Sequence, residues 1–426
     1  MKITKLLPIL LLFGLPIVVN AQFIYTTNNG AITITHYSGS DTTVTIPSTT
    51  NGWPINSIGP SAFADCYSLT SVTIGTNIVS IGKSAFAETS LTNVTIPNSV
   101  TNIGQEAFRD CGNLTAIIVV TNNPTYASVA NVLFDKNQTT LVEYPAGMTG
   151  NYNVPNNVIS IANRAFYFCT KVTGVTIPNS VTNIGTETFN GSGLTNVIIP
   201  DSVTSIGEGA FQQSLNLNAI TVDSNNPAYS SVAGVLFDKN ETTLIAYPPG
   251  RGGSYTAPNG VTNIAEYAFQ ACFGLTSVIF PQSVTTIGTW IFSQSSSLRS
   301  VYFEGNEPTN VSAYPFIGSN PTVYYLPGTS GWSSRFGDPL GLPTAPWWLP
   351  IPTILNFEPS FGVQTNEFGF MISWATNISI VIEACTNLAN PVWLPVATNT
   401  LTSGSSYFSD SQWPNYPGRF YRLRSP

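Results

Sequence analysis

Histidine is nearly absent from this sequence, and charge of either sign is scarce. His36 is the only histidine among 426 residues, and Asp, Glu, Lys and Arg together make up 8%. One histidine excludes zinc sites built from two or three imidazoles and histidine-rich iron sites. A Ser-His-Asp arrangement would have to recruit His36, yet no G-x-S-x-G elbow accompanies it, and no G-x-x-x-x-G-K-[ST] loop exists to cradle phosphates. His36 itself lies in Ile32-Thr33-Ile34-Thr35-His36-Tyr37, an alternation typical of a strand. No catalytic residue, metal ligand or cofactor is therefore assigned.

Long hydrophobic runs are also missing, with one exception. Met1–Ala21 carries Lys2 and Lys5, an apolar run over Leu6–Val19, and a small residue at the end, the pattern of a cleaved export signal. A retained anchor is the alternative, though the run falls short of the ~20 apolar residues a membrane span needs. Without Lys2 and Lys5, 12 basic residues stand against 21 acidic ones, a formal charge of −9. No Lys/Arg cluster could follow a phosphate backbone, which excludes nucleic acid as a partner.

What the sequence has in abundance is repetition. Ile96-Pro97-Asn98-Ser99-Val100-Thr101-Asn102-Ile103-Gly104 recurs as Ile177-Pro178-Asn179-Ser180-Val181-Thr182-Asn183-Ile184-Gly185, and a period of 22–23 residues carries Phe63, Phe86, Phe108, Phe166, Phe189, Phe211, Phe269 and Phe292 at one phase. Eight copies result. Leu69, Val72 and Ile74 have the spacing of a strand that turns alternate side chains inward. Pro97 and its equivalents stop that strand, Gly104 permits a tight turn, and Ala107-Phe108 followed by Cys111 has the spacing of one short helical turn. Such a unit cannot bury both its faces alone, so the copies must stack into a solenoid with caps at both ends.

The pattern I-P-x-S-V-T-x-I-G-x-x-A-F-x-x-C-x-x-L-T-x-V-x-I resembles the BspA-type (treponemal) class of leucine-rich repeat, over roughly Ile32 to Pro327. The resemblance implies a curved solenoid and a bacterial surface or secreted protein acting in adhesion, with a protein or a glycan as ligand. It does not identify that ligand or an oligomeric state.

Two insertions interrupt the array. Asn122 through Pro145 matches Asn225 through Pro248 at an offset of 103, so a larger unit has been duplicated. Within it, Val132–Asn137 and Leu141–Tyr144 read as a strand, a turn and a returning strand. These form either an extra, helix-poor coil or a looped-out hairpin. At the ends, Ala31–Ile46 reads as a hairpin around Ser38–Asp41 covering the first coil, and Thr322–Leu326 as a final strand.

The expected fold is thus a β-rich leucine-rich-repeat solenoid of short strands and short helical turns over 22–338, followed by a Pro-rich linker over 339–353 and a small antiparallel β-sandwich-like domain over 354–426. In that domain Trp374, Trp393 and Trp413 are either a sugar-stacking platform or packing residues. The domain could attach the chain to the cell envelope.

Cys66, Cys111, Cys169 and Cys272 share one phase of the repeat and should form a column of buried free thiols. Coils spaced by ~4.8 Å put Cys66 and Cys111 beyond disulfide reach, and Cys111 could approach Cys169 only if the insertion adds no coil. Glu106, Glu187, Glu208 and Glu266 open the expected helical turns, where free N–H groups favour a negative charge. Glu304 and Glu307, near the last coil, are the remaining candidates for a carbohydrate-active pair.

If the strand phase is right, the outward positions are Ser71, Thr73, Asn93, Thr95, Thr176, Asn196, Thr221, Ser277 and Ser300, joined by Ile118, Ile198, Ile279 and Tyr302. The candidate ligand-binding set is Thr73, Thr95, Ile118, Thr176, Asn196, Ile198, Thr221, Ser277, Ile279 and Tyr302. This neutral strip could hydrogen-bond a glycan or an extended polypeptide, or its Thr and Ser could simply suit exposed strands. Three readings follow: a non-enzymatic secreted or surface binding protein, a structural envelope protein, or a carbohydrate-active protein.

Overall fold

The computed structural model describes residues 22–28, 31–326, 328–337, 341–347, 353–356, 361–365, 367–373, 379–400 and 405–424; the expected export segment 1–21 and Trp374 lie outside them. Each coil sends one strand into each of two parallel ladders. In the longer-stranded ladder Val94 faces Ile117, Val197 faces Ile220, and Val278 faces Val301, which in turn faces Val323. The two-residue side-chain period turns these residues inward, where all are buried. The second ladder is made of two-residue strands such as Ser160–Ile161, Asn183–Ile184 and Ser205–Ile206, paired in register. Between the ladders lies the core.

The third side of each coil is not helical. Among the described residues the only helix is a 3-10 turn at Trp413–Asn415, and the Ala-Phe segments are runs of β-turns. In each run two residues four apart take positive φ, such as Ser84 (54°) with Glu88 (60°), and Arg164 (61°) with Phe168 (52°). A helix would point every N–H back along its own segment. Here the N–H groups alternate. Those of Ser84, Phe86 and Glu88 donate to the carbonyls of Gln105, Ala107 and Arg109 on the next coil, while those of Ala85 and Ala87 close turns onto Gly82 and Ser84. The alternation gives the solenoid a third ladder, and it stacks the Phe rings: Phe63 on Phe86 at 5.0 Å and Phe86 on Phe108 at 5.7 Å.

The insertions divide the array into three. Tyr126–Val129 and Val132–Asp135 form an antiparallel hairpin, and the second of these pairs antiparallel with Thr140–Glu143. Thr140–Glu143 then joins the two-residue ladder beside Ser160–Ile161. The hairpin and the extra coil are therefore both present, with Tyr126–Val129 as a strand the sequence did not suggest. Tyr144 takes the phenylalanine place, its ring 4.8 Å from Phe166. The second insertion repeats the arrangement, with Tyr247 on Phe269 at 5.2 Å.

Where an insertion cuts the ladders, one asparagine takes up the orphaned groups. Asn123 donates to the carbonyls of Pro97 and Val100 and accepts from the N–H groups of Thr125 and Tyr126. Asn226 does the same for Pro200, Val203, Ala228 and Tyr229. The hydroxyls of Tyr126 and Tyr229 accept from Ile103 and Ile206.

At the amino end the pairing differs from a hairpin around Ser38–Asp41. That segment is the corner between Ala31–Tyr37, which pairs parallel with Trp53–Ile58, and Thr43–Thr45, which pairs parallel with Ser71–Thr73. The covering strand is Phe23–Asn28, antiparallel on Ala31–Tyr37, and it forms the sheet edge in place of the first coil. At the other end Thr322–Tyr325 is a strand, as expected, and the ladder continues into the Pro-rich segment: Leu342–Pro346 pairs parallel with Thr322–Tyr325 and antiparallel with Arg335–Phe336. Arg335–Phe336 therefore forms the edge of this sheet.

The carboxy-terminal residues form two antiparallel sheets, one centred on Glu367–Ser373 and the other on Ser379–Cys385. Phe370, Ile372 and Phe408 of the first pack with Ile380 and Ile382 of the second. Trp413 lies against Phe368, and Trp393 carries the Arg422 guanidinium 4.5 Å from its ring.

Candidate functional site

The register of the longer-stranded ladder places the sequence-selected residues on two adjacent outward rows. Thr73 lies opposite Thr45, Thr95 opposite Ile118, Asn153 opposite Thr176, and Ile198 opposite Thr221. The same row continues through Thr256, Ile279, Tyr302 and Tyr324. Asn196 and Ser277 belong to the neighbouring row, facing Ala219 and Ser300. Thr73, Thr95, Ile118, Thr176, Asn196, Ile198 and Thr221 are exposed, whereas Ser277, Ile279 and Tyr302 are half-buried. Neither row contains Asp, Glu, Lys or Arg.

The strip is not one surface. The hairpins of the two insertions lie against it, with the Ile117 N–H donating to the Asn131 carbonyl and the Ile220 N–H to Gly234. This leaves three patches: Thr73, Thr95 and Ile118; then Thr176, Asn196, Ile198 and Thr221; then Ser277, Ile279 and Tyr302. The third ends in an aromatic ledge that sequence reasoning missed. Tyr302 stacks on Tyr324 at 4.9 Å, and Trp347 sits 4.6 Å from Tyr302. The signal was available, since Tyr302, Tyr324 and Trp347 keep the repeat spacing into the segment read as a linker.

The carboxylates are arranged for packing. With no helix to cap, Glu106 and Glu187 occupy positive-φ turn positions, at 58° and 52°, and both hold the Arg164 guanidinium. Glu88 pairs with Arg109 at 2.7 Å. Glu143 accepts the Phe108 N–H, and burial raises its carboxyl pKa to about 7. Burial also raises Glu304 and Glu307. In the terminal domain Glu383 is held low by hydrogen bonds from Arg424 and Arg422. Among the described residues no three His, Cys, Asp or Glu side chains gather as a metal site.

All five cysteines are free. Cys111, Cys169 and Cys272 are buried in the column, and Cys385 in the terminal domain, but Cys66 is only half-buried. Its place is in an early coil, near the covered end. Burial pushes the Cys111 thiol up to about 11 and raises Cys169 and Cys272 as well, which keeps them protonated.

A family profile fits this architecture. The profile described as BspA type leucine rich repeat region matches in six copies, over residues 35–150, 148–237 and 253–329. Among solved structures, a leucine rich cell surface protein from Faecalibacterium prausnitzii is 25% identical, with 72% of this chain and 87% of that one covered and a TM-score of 0.42. A leucine-rich repeat protein from Eubacterium ventriosum is 24% identical, with 69% and 91% covered and a TM-score of 0.42. No curated protein matches the chain.

Proposed function

The chain belongs to the BspA-type leucine-rich repeat family, and from that premise we propose that it is an exported, non-catalytic adhesion protein that holds a protein or glycan on its strand face. The observation that carries this reading is the pair of aligned outward rows, which present hydroxyl, amide and apolar groups without a single charge. Such a face offers donors and acceptors to an extended polymer, with little long-range steering. Single patches bind weakly, and three patches engaged at once multiply the affinity. The signal-like Met1–Ala21 supports export, and the terminal β-domain serves as the attachment or sorting module.

The test is retention of the mature chain on panels of immobilised proteins and polysaccharides. Replacing Thr73, Thr95, Thr176 and Ser277 with Glu should abolish retention on whichever support holds the native chain. Unchanged retention would move the site off the strand face.

A further inference from the structure

The two duplicated units differ in how they fill one place, where each insertion coil lacks the Ala-Phe turn of its neighbours. In the first unit this gap is closed by the protein's own side chains. Arg164 reaches back across the insertion coil to Glu106, and Glu143 supplies an acceptor to the Phe108 N–H. At the offset of 103 the second unit has Gly209 for Glu106, Ala246 for Glu143 and Tyr267 for Arg164. All three filling groups are gone. What remains is a cleft of about 460 Å³, within the ~300–1,000 Å³ range of small-ligand sites.

Residues lining the cleft also carry buried polar groups that nothing in the chain satisfies. Ala246 gives the Phe211 N–H no acceptor to replace the one Glu143 provides in the first unit. Gln212, 7% exposed, receives a hydrogen bond from Asn190 at its Oε1, but its Nε2 has no partner. A Cβ at position 209 would lie 2.4 Å from that Nε2, so glycine at 209 is what lets Gln212 sit there. Gln270 also lines the cleft, and its Oε1 is buried without a donor. Glu208 and Glu266 complete the polar lining, with the rings of Tyr247 and Tyr267 beside them.

We propose that this cleft is a binding site for a neutral saccharide. Unpaired buried donors and acceptors in one cavity are costly until a ligand pairs them. A cation would suit Glu208 and Glu266 but leave the Phe211 N–H and the Gln212 amide without acceptors. An anion would take those two donors and meet both carboxylates. Hydroxyl groups donate and accept at once, so a neutral sugar can serve the two donors, the Gln270 oxygen and both carboxylates together. The site faces the turn ladder, away from the strand face, and its test is independent of the adhesion reading.

The experiment is saturation-transfer NMR and calorimetric titration of the full mature chain with maltotriose, cellotriose, xylotriose and lactose as neutral probes. Digalacturonate and arginine methyl ester serve as the anionic and cationic controls. At least one neutral sugar should bind with millimolar or better affinity. Ala246→Glu, which rebuilds the plug of the first unit, should weaken it by at least about tenfold. Gln270→Leu should weaken it with a melting temperature no lower than that of the native chain, which decides the matter if the glutamate variant does not fold. The four-fold Glu variant of the strand face should bind the sugar as the native chain does. Absence of any neutral binder, native affinity in both cleft variants, or preference for either charged control would overturn the assignment.

Discussion

The backbone N–H of Phe108 donates to the carboxylate of Glu143 at 3.1 Å, on an insertion coil that supplies a side chain where other coils supply a carbonyl. In coils followed by an ordinary repeat the equivalent N–H meets a carbonyl, as Phe86 meets Ala107 and Phe189 meets Ala210. A side chain thus completes a main-chain ladder.

That substitution has a pH signature. Burial raises the Glu143 pKa from 4.5 to about 7. Between those values the folded chain holds a proton that the unfolded chain has released, so stability declines as pH rises through this window and levels off above it. Glu143→Gln keeps an acceptor for Phe108 and removes the titration. The variant should melt with the native chain near pH ~4 and above it near pH ~8, by at most ~3 kcal/mol. Melting curves across that range check the sign.

Arg164 should matter more than Arg109, although each pairs with glutamate. The Glu106 side chain is 6% exposed, so Arg164→Met strands a buried carboxylate and should cost about 2–3 kcal/mol, somewhat below the full value for a buried pair because Arg164 itself reaches solvent. Adding Glu106→Gln should restore much of the loss. Arg109 and Glu88 are both about a third exposed, and Arg109→Met should cost no more than ~1 kcal/mol. Urea titration of the three variants ranks them.

The strand half of each coil was legible because Val72, Val94 and Val197 alternate with Thr73, Thr95 and Ile198, and a two-residue period fixes which side faces the core. The candidate strip followed from the same phase. The turn half was not, since Ala107-Phe108 and Cys111 have apolar spacing common to a helical turn and to these β-turns. Residues such as Glu88 and Arg164 adopt positive φ without the glycine that would have announced it. The cleft was hidden for another reason: Gly209 and Ala246 are visible as differences between the duplicated units, but only three dimensions show that both empty the same space.

Asn123 and Asn226 act as paired staples at the two breaks. Each makes four hydrogen bonds to main-chain groups and is fully buried. Asn123→Ala should leave the Val100 carbonyl and two N–H groups without the partner it gave them, while the Pro97 carbonyl keeps the Val100 N–H, at a total cost of about 3 kcal/mol. Asn226→Ala should cost the same. The two lie in different units with no shared partner, so the double variant should show the sum. A double variant no worse than either single one would mean that the units do not unfold together.

The glycine after each short strand answers to its neighbour coil rather than to its own turn. A Cβ at Gly104 would lie 2.4 Å from the Lys83 nitrogen, at Gly185 2.5 Å from the Asn163 nitrogen, and at Gly207 2.3 Å from the Thr186 nitrogen. None of these three has positive φ, so handedness is not the reason for glycine; the closeness of the coils is. The matching positions in the coils that follow an insertion are Ala162 and Ala265, which pack against Leu141 and Leu244 strands of a different backbone course. The obstacle at the glycines is main chain, which cannot swing aside as a flexible side chain would. Gly104→Ala and Gly207→Ala should therefore destabilise by about 1–3 kcal/mol through overpacking, whereas Ala162→Gly should cost less, with only a methyl group and some chain entropy lost. Thermal melting of the three variants separates the two causes: equal losses at all three sites would point to local backbone preference instead of coil contact.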